Sequence, residues 1–301
     1  MSRRGWLLFL AMGVIWGLPY LLIRVAVRQI DPALLVFVRT AGGALLLAPF
    51  AVRRGALGPL LRHWKPVVAY TVAELGVPWL LLFQAERRLS SSLAGLLIAA
   101  VPIVGAVLAQ LTGTDRLDRR RVAGLAVGIA GVAVLVGFDV GASSAWAAAS
   151  LVVVACGYAL GPWILSRHLS QLPAMSVVLA SLVLCACAYG PAVAFVLPTR
   201  ALSTSVVLSM AGLTVVCTAL AFVLFFALIA EVGALRATVI TYVNPAVAVA
   251  LGVGVLGERF TVGTAVGFVL ILGGCFLATR PLRAQSAATT AAMSEPSVAE
   301  P

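Results

Sequence analysis

Polar positions are so sparse in this chain that they cut it into ten apolar runs. These cover approximately 5–27, 32–52, 66–85, 90–113, 121–138, 145–166, 173–197, 203–229, 233–256 and 261–279. Each is close to the ~20 residues that a helix needs to cross a hydrocarbon core. The breaks between them are short, as antiparallel neighbours in a helical bundle require. One break, DVGASSA from Asp139, reads as a linker between two halves. The stretch 280–301 is a low-complexity mixture rich in Ala, Ser, Thr, Pro and Glu that can bury almost nothing, and it is expected to be a disordered tail.

The two halves repeat one another. Shifted by 143 positions, Pro102 falls on Pro245, Asp115 on Glu258, Arg116 on Arg259, Gly124 on Gly267 and Gly131 on Gly274. At the same offset Pro19 meets Pro162, Arg24 meets Arg167, Thr71 meets Thr214 and Phe83 meets Phe226, and no gap is needed. Alanine and valine matches arise by chance in such a composition; prolines and charges in register do not. The unit therefore holds five spans, and five is odd. A second copy must then enter the membrane from the opposite face. The expected fold is an all-α integral membrane protein of ten transmembrane helices, built as two inverted five-helix repeats, 1–138 and 139–279. Such repeats place a site near the midplane, between the copies.

Composition agrees with lipid as the solvent: of 301 residues, 62% are hydrophobic and 10% charged. A soluble domain could not cover that much apolar surface. The net charge of +11 does not point to nucleic acid, because the arginines stand singly between apolar runs. It sets orientation instead. With the N-terminus inside, the cytoplasmic segments hold Arg3, Arg4, Arg53, Arg54, Arg62, Lys65, Arg116, Arg119, Arg120, Arg121, Arg167, Arg280 and Arg283, against Arg28, Arg87, Arg88, Arg200 and Arg259 outside. Both termini are thus expected in the cytoplasm. The basic start and apolar run at the N-terminus imitate a signal peptide, but more membrane helix comes after it, so it reads as an uncleaved first span. All five cysteines lie inside apolar runs, so neither a disulfide framework nor a metal site is indicated.

The segment IWGLPYLLIR with Trp16, Gly17 and Arg24, Arg39 within the second span, and the paired Pro102 and Pro245, each followed by an acidic turn residue and a Gly-rich helix, form a recognisable set. Together they resemble an EamA-type member of the drug/metabolite transporter superfamily, over nearly the whole chain except the tail. The resemblance implies a ten-helix inner-membrane transporter, commonly an exporter of amino acids or related metabolites. The chain departs from the family pattern with Asp115 where Glu is usual, and with an extra basic cluster from Arg119 to Arg121.

Within the spans, Glu74 stands roughly 12 Å deep at about 1.5 Å per residue. An ionised carboxylate there costs several kcal/mol unless it is paired or wetted. Thr71, Glu74 and Pro78 share one helical face by their spacing, and that face is expected to line a pathway, with Glu74 binding a substrate ammonium or exchanging a proton. The alternative is that Glu74 pairs with Arg39 and locks two helices. Arg39, for its part, could hold a substrate carboxylate with its fork, or pair with Glu74 or with freed backbone carbonyls. Pro102 and Pro245 each free a carbonyl, and Pro19 and Pro162 are expected to act with them as helix breaks. Around Pro245 the polar Thr238, Thr241, Tyr242 and Asn244 line a cavity or bond helix to helix. Trp16 and Trp163 could wall a cavity or sit in an interfacial belt, whereas Trp79 points off the Glu74 face and should meet lipid or packing. The glycine stripes Gly124, Gly128, Gly131 and Gly263, Gly267, Gly274 should seat closely packed helices.

No nucleotide-binding loop, metalloprotease motif or triad is present, so the chain reads as a transporter rather than an enzyme, driven by a gradient and needing no cofactor. Its expected partners are a small-molecule substrate and membrane lipid, with proton coupling as one role for Glu74. The leading reading is a secondary transporter exporting amino acids or related metabolites by alternating access. Its rivals are a carrier of drugs or other solutes, an importer and, from a different class, a membrane-embedded enzyme or scaffold.

Overall fold

The computed structural model of the chain describes residues 2–52, 57–113, 118–139, 144–233 and 237–279. Arg53, Arg54, Asp115, Arg116, Arg236 and the tail from 280 lie outside the described residues. Every regular element among the described residues is helical. Ten helices are long and apolar enough to span: Arg3–Ala26, Pro32–Phe50, Trp64–Ala85, Ser91–Leu111, Arg119–Gly137, Ala145–His168, Ala174–Val196, Thr204–Val232, Val239–Leu256 and Val262–Thr279, numbered below as spans 1 to 10. These are the runs that hydropathy predicts, with ends shifted by a few residues. Lipid leaves the backbone no other way to satisfy its hydrogen bonds.

Local chemistry sets the span ends. Ser2 caps span 1 by accepting from Gly5 N at 2.9 Å, and Ser90 caps span 4 by accepting from Leu93 N at 3.2 Å. Gly257 takes φ +66°, a left-handed cap that only glycine adopts freely, and folds Glu258 back over the end of span 9. With ten spans, the chain's two ends share one face, here called terminal; the opposite face, distal, carries the turns after spans 1, 3, 7 and 9.

Spans 2 and 7, 4 and 9, and 5 and 10 pack as pairs, each joining the halves of the chain. Span 1 lies on spans 8 and 9 as span 6 lies on spans 3 and 4. Replacing each span by the one five further on returns these pairings, whereas the contacts of span 1 with span 4, span 2 with span 3 and span 4 with span 10 have no counterpart of that extent. Glycine stripes seat the 5–10 pair: a Cβ on Gly124 would stand 2.6 Å from Ala278 N and 2.8 Å from Gly274 O.

The proline expectations divide. Span 4 breaks at Ala99 and Ala100, and a new helix starts at Val101 with Pro102 in its first turn. Span 9 passes from a 3-10 turn, Thr238–Tyr242, into a helix starting at Asn244, with Pro245 in its first turn. Pro19 and Pro162, expected as breaks, instead sit inside unbroken helices, since one missing N–H leaves the rest of the ladder intact. The irregularities that hydropathy does not announce are two π-helical segments, Val72–Gly76 in span 3 and Gly212–Leu220 in span 8. Offset by 143, the first falls within the second.

Candidate functional site

The spans' deepest charges gather around these π segments. A π turn widens the ladder and leaves carbonyls that seek other donors. Arg39, buried in span 2, fills that need in span 8. Its Nε donates to Thr218 Oγ1 at 2.8 Å and its Nη2 to the Cys217 carbonyl at 3.4 Å. Its guanidinium lies 3.7 Å over the ring of Trp79, a stacked cation–π geometry. Trp79 therefore does not face lipid: it is only 6% exposed and closes over Arg39. Of the partners weighed for Arg39, the structure shows freed backbone, and no ion pair joins it to Glu74 among the described residues.

Glu74 sits within the first π segment and leans on span 6. Gly161 makes room for it. A Cβ there would overlap Oε2 and stand 2.9 Å from Cδ and 3.0 Å from Cβ of Glu74. One turn earlier, Gly157 receives the Pro78 ring, which a Cβ would meet at 2.7 Å. The pair Gly157 and Gly161 is thus the surface on which the Glu74–Pro78 face rests. Oε2 of Glu74 is buried and has no hydrogen-bond partner among the described residues. Thr71, expected beside them, donates its hydroxyl to Val67 O at 2.7 Å in its own helix.

Two tyrosines complete the group, and neither stood out in the sequence. The Tyr158 hydroxyl lies within electrostatic reach of both Glu74 and Arg39. Tyr20, buried in span 1, lies within reach of Tyr158 and Arg39. A tyrosine deep in an apolar span is the signal that could have marked them. The result is one carboxylate and one guanidinium on neighbouring spans, unpaired with each other among the described residues, with Trp79 stacked on the guanidinium and Tyr158 within electrostatic reach of both.

The other expected site residues lie apart from this group. Trp16 packs against Phe225 at 4.6 Å and Phe222 at 6.5 Å in span 8. Tyr242 shares a 2.7 Å hydrogen bond with Thr279 of span 10 at the terminal face. With its amide nitrogen turned toward two acceptors, Asn244 donates to Gly13 O at 3.1 Å and Ile240 O at 3.0 Å, tying span 9 to span 1. Thr241 beside them is half-buried and Pro245 is buried. A cavity of about 300 Å³ opens between spans 4, 5 and 10, lined by Pro102, Gly105, Arg121 and Thr279 among others.

The distal face is tied by polar contacts. Glu258 accepts from both N–H groups and both hydroxyls of Ser91 and Ser92, at 2.6 to 3.0 Å, and so caps span 4 from across the bundle. Arg24 donates to the Glu86 carbonyl, and Arg87 pairs with Asp31 at 3.7 Å.

Comparison with known proteins places this geometry. The family described as the EamA-like transporter family matches twice, over residues 3–137 and 145–280. The inner membrane transporter YedA of Escherichia coli K12 is 28% identical over 258 residues, covering 83% of this chain and 82% of that protein. A probable amino-acid metabolite efflux pump of Salmonella typhimurium LT2 is 26% identical over 296 residues, covering 92% and 95%. A solved crystal structure superposes with a TM-score of 0.66 at 21% identity, covering 93% of this chain and 98% of the other; it speaks for the fold alone.

Proposed function

The chain belongs to the EamA-like transporter family, and we propose that within it the protein is a secondary exporter of small zwitterionic metabolites of the amino-acid type. It is a multi-pass inner-membrane transporter, not an enzyme. In the proposed reading, two inverted five-span repeats, 1–138 and 139–279, alternate access to the Arg39–Glu74 group, and the terminal face is cytoplasmic by the arginine count.

One observation carries the substrate class. Two opposite charges on the packed spans 2 and 3 do not pair with one another among the described residues: Arg39 is buried, and Glu74 is half-buried with an Oε2 that has no hydrogen-bond partner among them. Buried ions in a span are costly and persist where something else compensates them. A zwitterion does so: its carboxylate meets the Arg39 fork and its ammonium meets Glu74. The rings of Trp79, Tyr20 and Tyr158 then cover its apolar portion. The name of the Salmonella relative supports the same class.

The test is counterflow by purified protein in liposomes, over a panel of amino acids and of amphipathic cations. Zwitterions should exchange. Glu74→Gln and Arg39→Lys should each weaken exchange ~10- to 150-fold, the loss of one charge-assisted hydrogen bond, while the protein stays folded. Normal exchange by Glu74→Gln, or exchange of the cations alone, would overturn the reading.

A further inference from the structure

Glu86 lies just past the end of span 3, on the distal face, and takes no part in the zwitterion site. It is 0% exposed, and neither carboxylate oxygen has a hydrogen-bond partner among the described residues. A carboxylate so placed should be expelled or neutralised, because desolvating an unpaired ion costs several kcal/mol.

The surroundings say what can neutralise it. From span 1, Arg24 spends a guanidinium N–H on the backbone carbonyl of Glu86, and no ion pair joins it to the side chain among the described residues. From the turn after span 9, Glu258 is close enough to be felt as a second negative charge. From spans 1 and 6, Tyr20 and Tyr158 lie within electrostatic reach. On its own turn, Arg87 pairs with Asp31, and Arg88 makes an interaction of its own. A metal cation finds no second ligand here, because the Glu258 oxygens are taken by Ser91 and Ser92 and the Arg24 charge repels it. A proton needs no second ligand.

We propose that Glu86 is a proton-binding site that gates the distal face: closing takes up one proton from distal water, forming the O–H bond of a neutral carboxyl, and opening returns that proton to distal water. Span 3 carries Glu74 and ends directly at Glu86, so the gate adjoins the helix of the substrate site. Burial, with Glu258 adding to it, pushes the Glu86 carboxyl well above the usual carboxylate range, and Arg24 offsets this only in part. The proposal rests on the alternating-access reading, in which the distal face must open and close.

The test uses the purified full chain without substrate. Infrared titration should show a protonated carboxyl signal that Glu86→Gln lacks. Hydrogen exchange over residues 86–97 should then speed up with pH by as much as about tenfold per unit, the limit for one linked proton, relative to Glu86→Gln at the same pH. Gln mimics the neutral carboxyl and should fold; Glu86→Asp should keep the pH dependence. Identical carboxyl spectra for the two proteins, or identical pH dependence of exchange, would overturn the proposal. Failure of wild-type counterflow would instead strike the exporter reading and leave the titration standing.

Discussion

Gly161→Ala separates the role of Glu74 from the stability of the bundle. The new methyl would overlap Glu74 Oε2 and stand 2.9 Å from Cδ and 3.0 Å from Cβ. The oxygen lies at the end of a flexible side chain and can swing away; Cβ is fixed by span 3. Overpacking of this kind costs about 1–3 kcal/mol, and alanine for a helical glycine returns about 1 kcal/mol. The net loss of stability should therefore be ~0–2 kcal/mol, a fall of a few degrees in Tm. Exchange suffers more. A displaced carboxylate forfeits a charge-assisted bond of ~1.5–3 kcal/mol, or roughly 10- to 150-fold in apparent affinity. Adding Glu74→Asp withdraws the carboxylate by one methylene, so the double variant should recover stability beyond the sum of the two single changes, by about 1 kcal/mol. Gly157→Ala is the contrast: its methyl would strike the Ala73 carbonyl and stand 2.7 Å from the Pro78 ring. Backbone cannot swing, so that loss should be larger and unaffected by Glu74 variants. Thermal melts and counterflow on the four proteins decide it. Wild-type exchange by Gly161→Ala, with strictly additive stabilities in the double variant, would refute the reasoning.

The same contacts set three further outcomes. Arg39→Lys should lose the bond to Thr218 and most of the stacking on Trp79, lowering stability by about 2–3 kcal/mol, with Thr218→Val costing about 1 kcal/mol, both read by thermal melts. Glu258→Gln, which turns an amide N–H₂ toward the donors of Ser91 and Ser92, should destabilise by about 1–3 kcal/mol, and Gly252→Ala, whose methyl would overlap Glu258 Oε2 and Ser92 Oγ, should act in the same direction. Because the folded protein holds the Glu86 proton more tightly than the unfolded chain does, stability contributed there is present at low pH and declines as pH rises from the ordinary carboxylate range through the raised folded value; Glu86→Gln should melt at a temperature that no longer falls over that window.

Lipid made the ten spans readable, because a run of about 20 apolar residues has only one way to satisfy its backbone. The site was readable only in its charges. Glu74 and Arg39 stand out as ions in apolar runs, yet their partners do not, since Arg39 finds Thr218 and Glu74 finds Gly161 in spans far along the chain. Trp79 shows the limit well. On a regular helix five residues turn through about 140°, which aims Trp79 away from Glu74. The π segment inserts a residue and rotates the helix downstream of it by up to ~100°, enough to bring the ring onto Arg39. Nothing in local sequence announces that segment. Glu86 escaped notice for another reason: beside Arg87 and Arg88 it reads as part of a solvated turn, and only the folded bundle, with Arg24 of span 1 on its carbonyl, buries it.

The two π segments are clamped crosswise, and unequally. Arg39 from span 2 holds the segment of span 8 through Thr218 and the Cys217 carbonyl. Tyr189 from span 7 holds the segment of span 3 by donating to the Gly76 carbonyl at 2.9 Å. Spans 2 and 7 are the second spans of the two halves, so each half fastens the irregular helix of the other. In the proposed alternating access, a sliding of one half on the other must break a clamp. The tyrosine bond is neutral and worth about 1 kcal/mol net, whereas the arginine clamp is charge-assisted and stacked, worth about 2–3 kcal/mol. The cheaper break is in span 3, next to Glu74 and one helix end below Glu86. In that reading span 8 and Arg39 are the firmer support, and span 3 is the element that yields, taking Glu74 and its end at Glu86 with it.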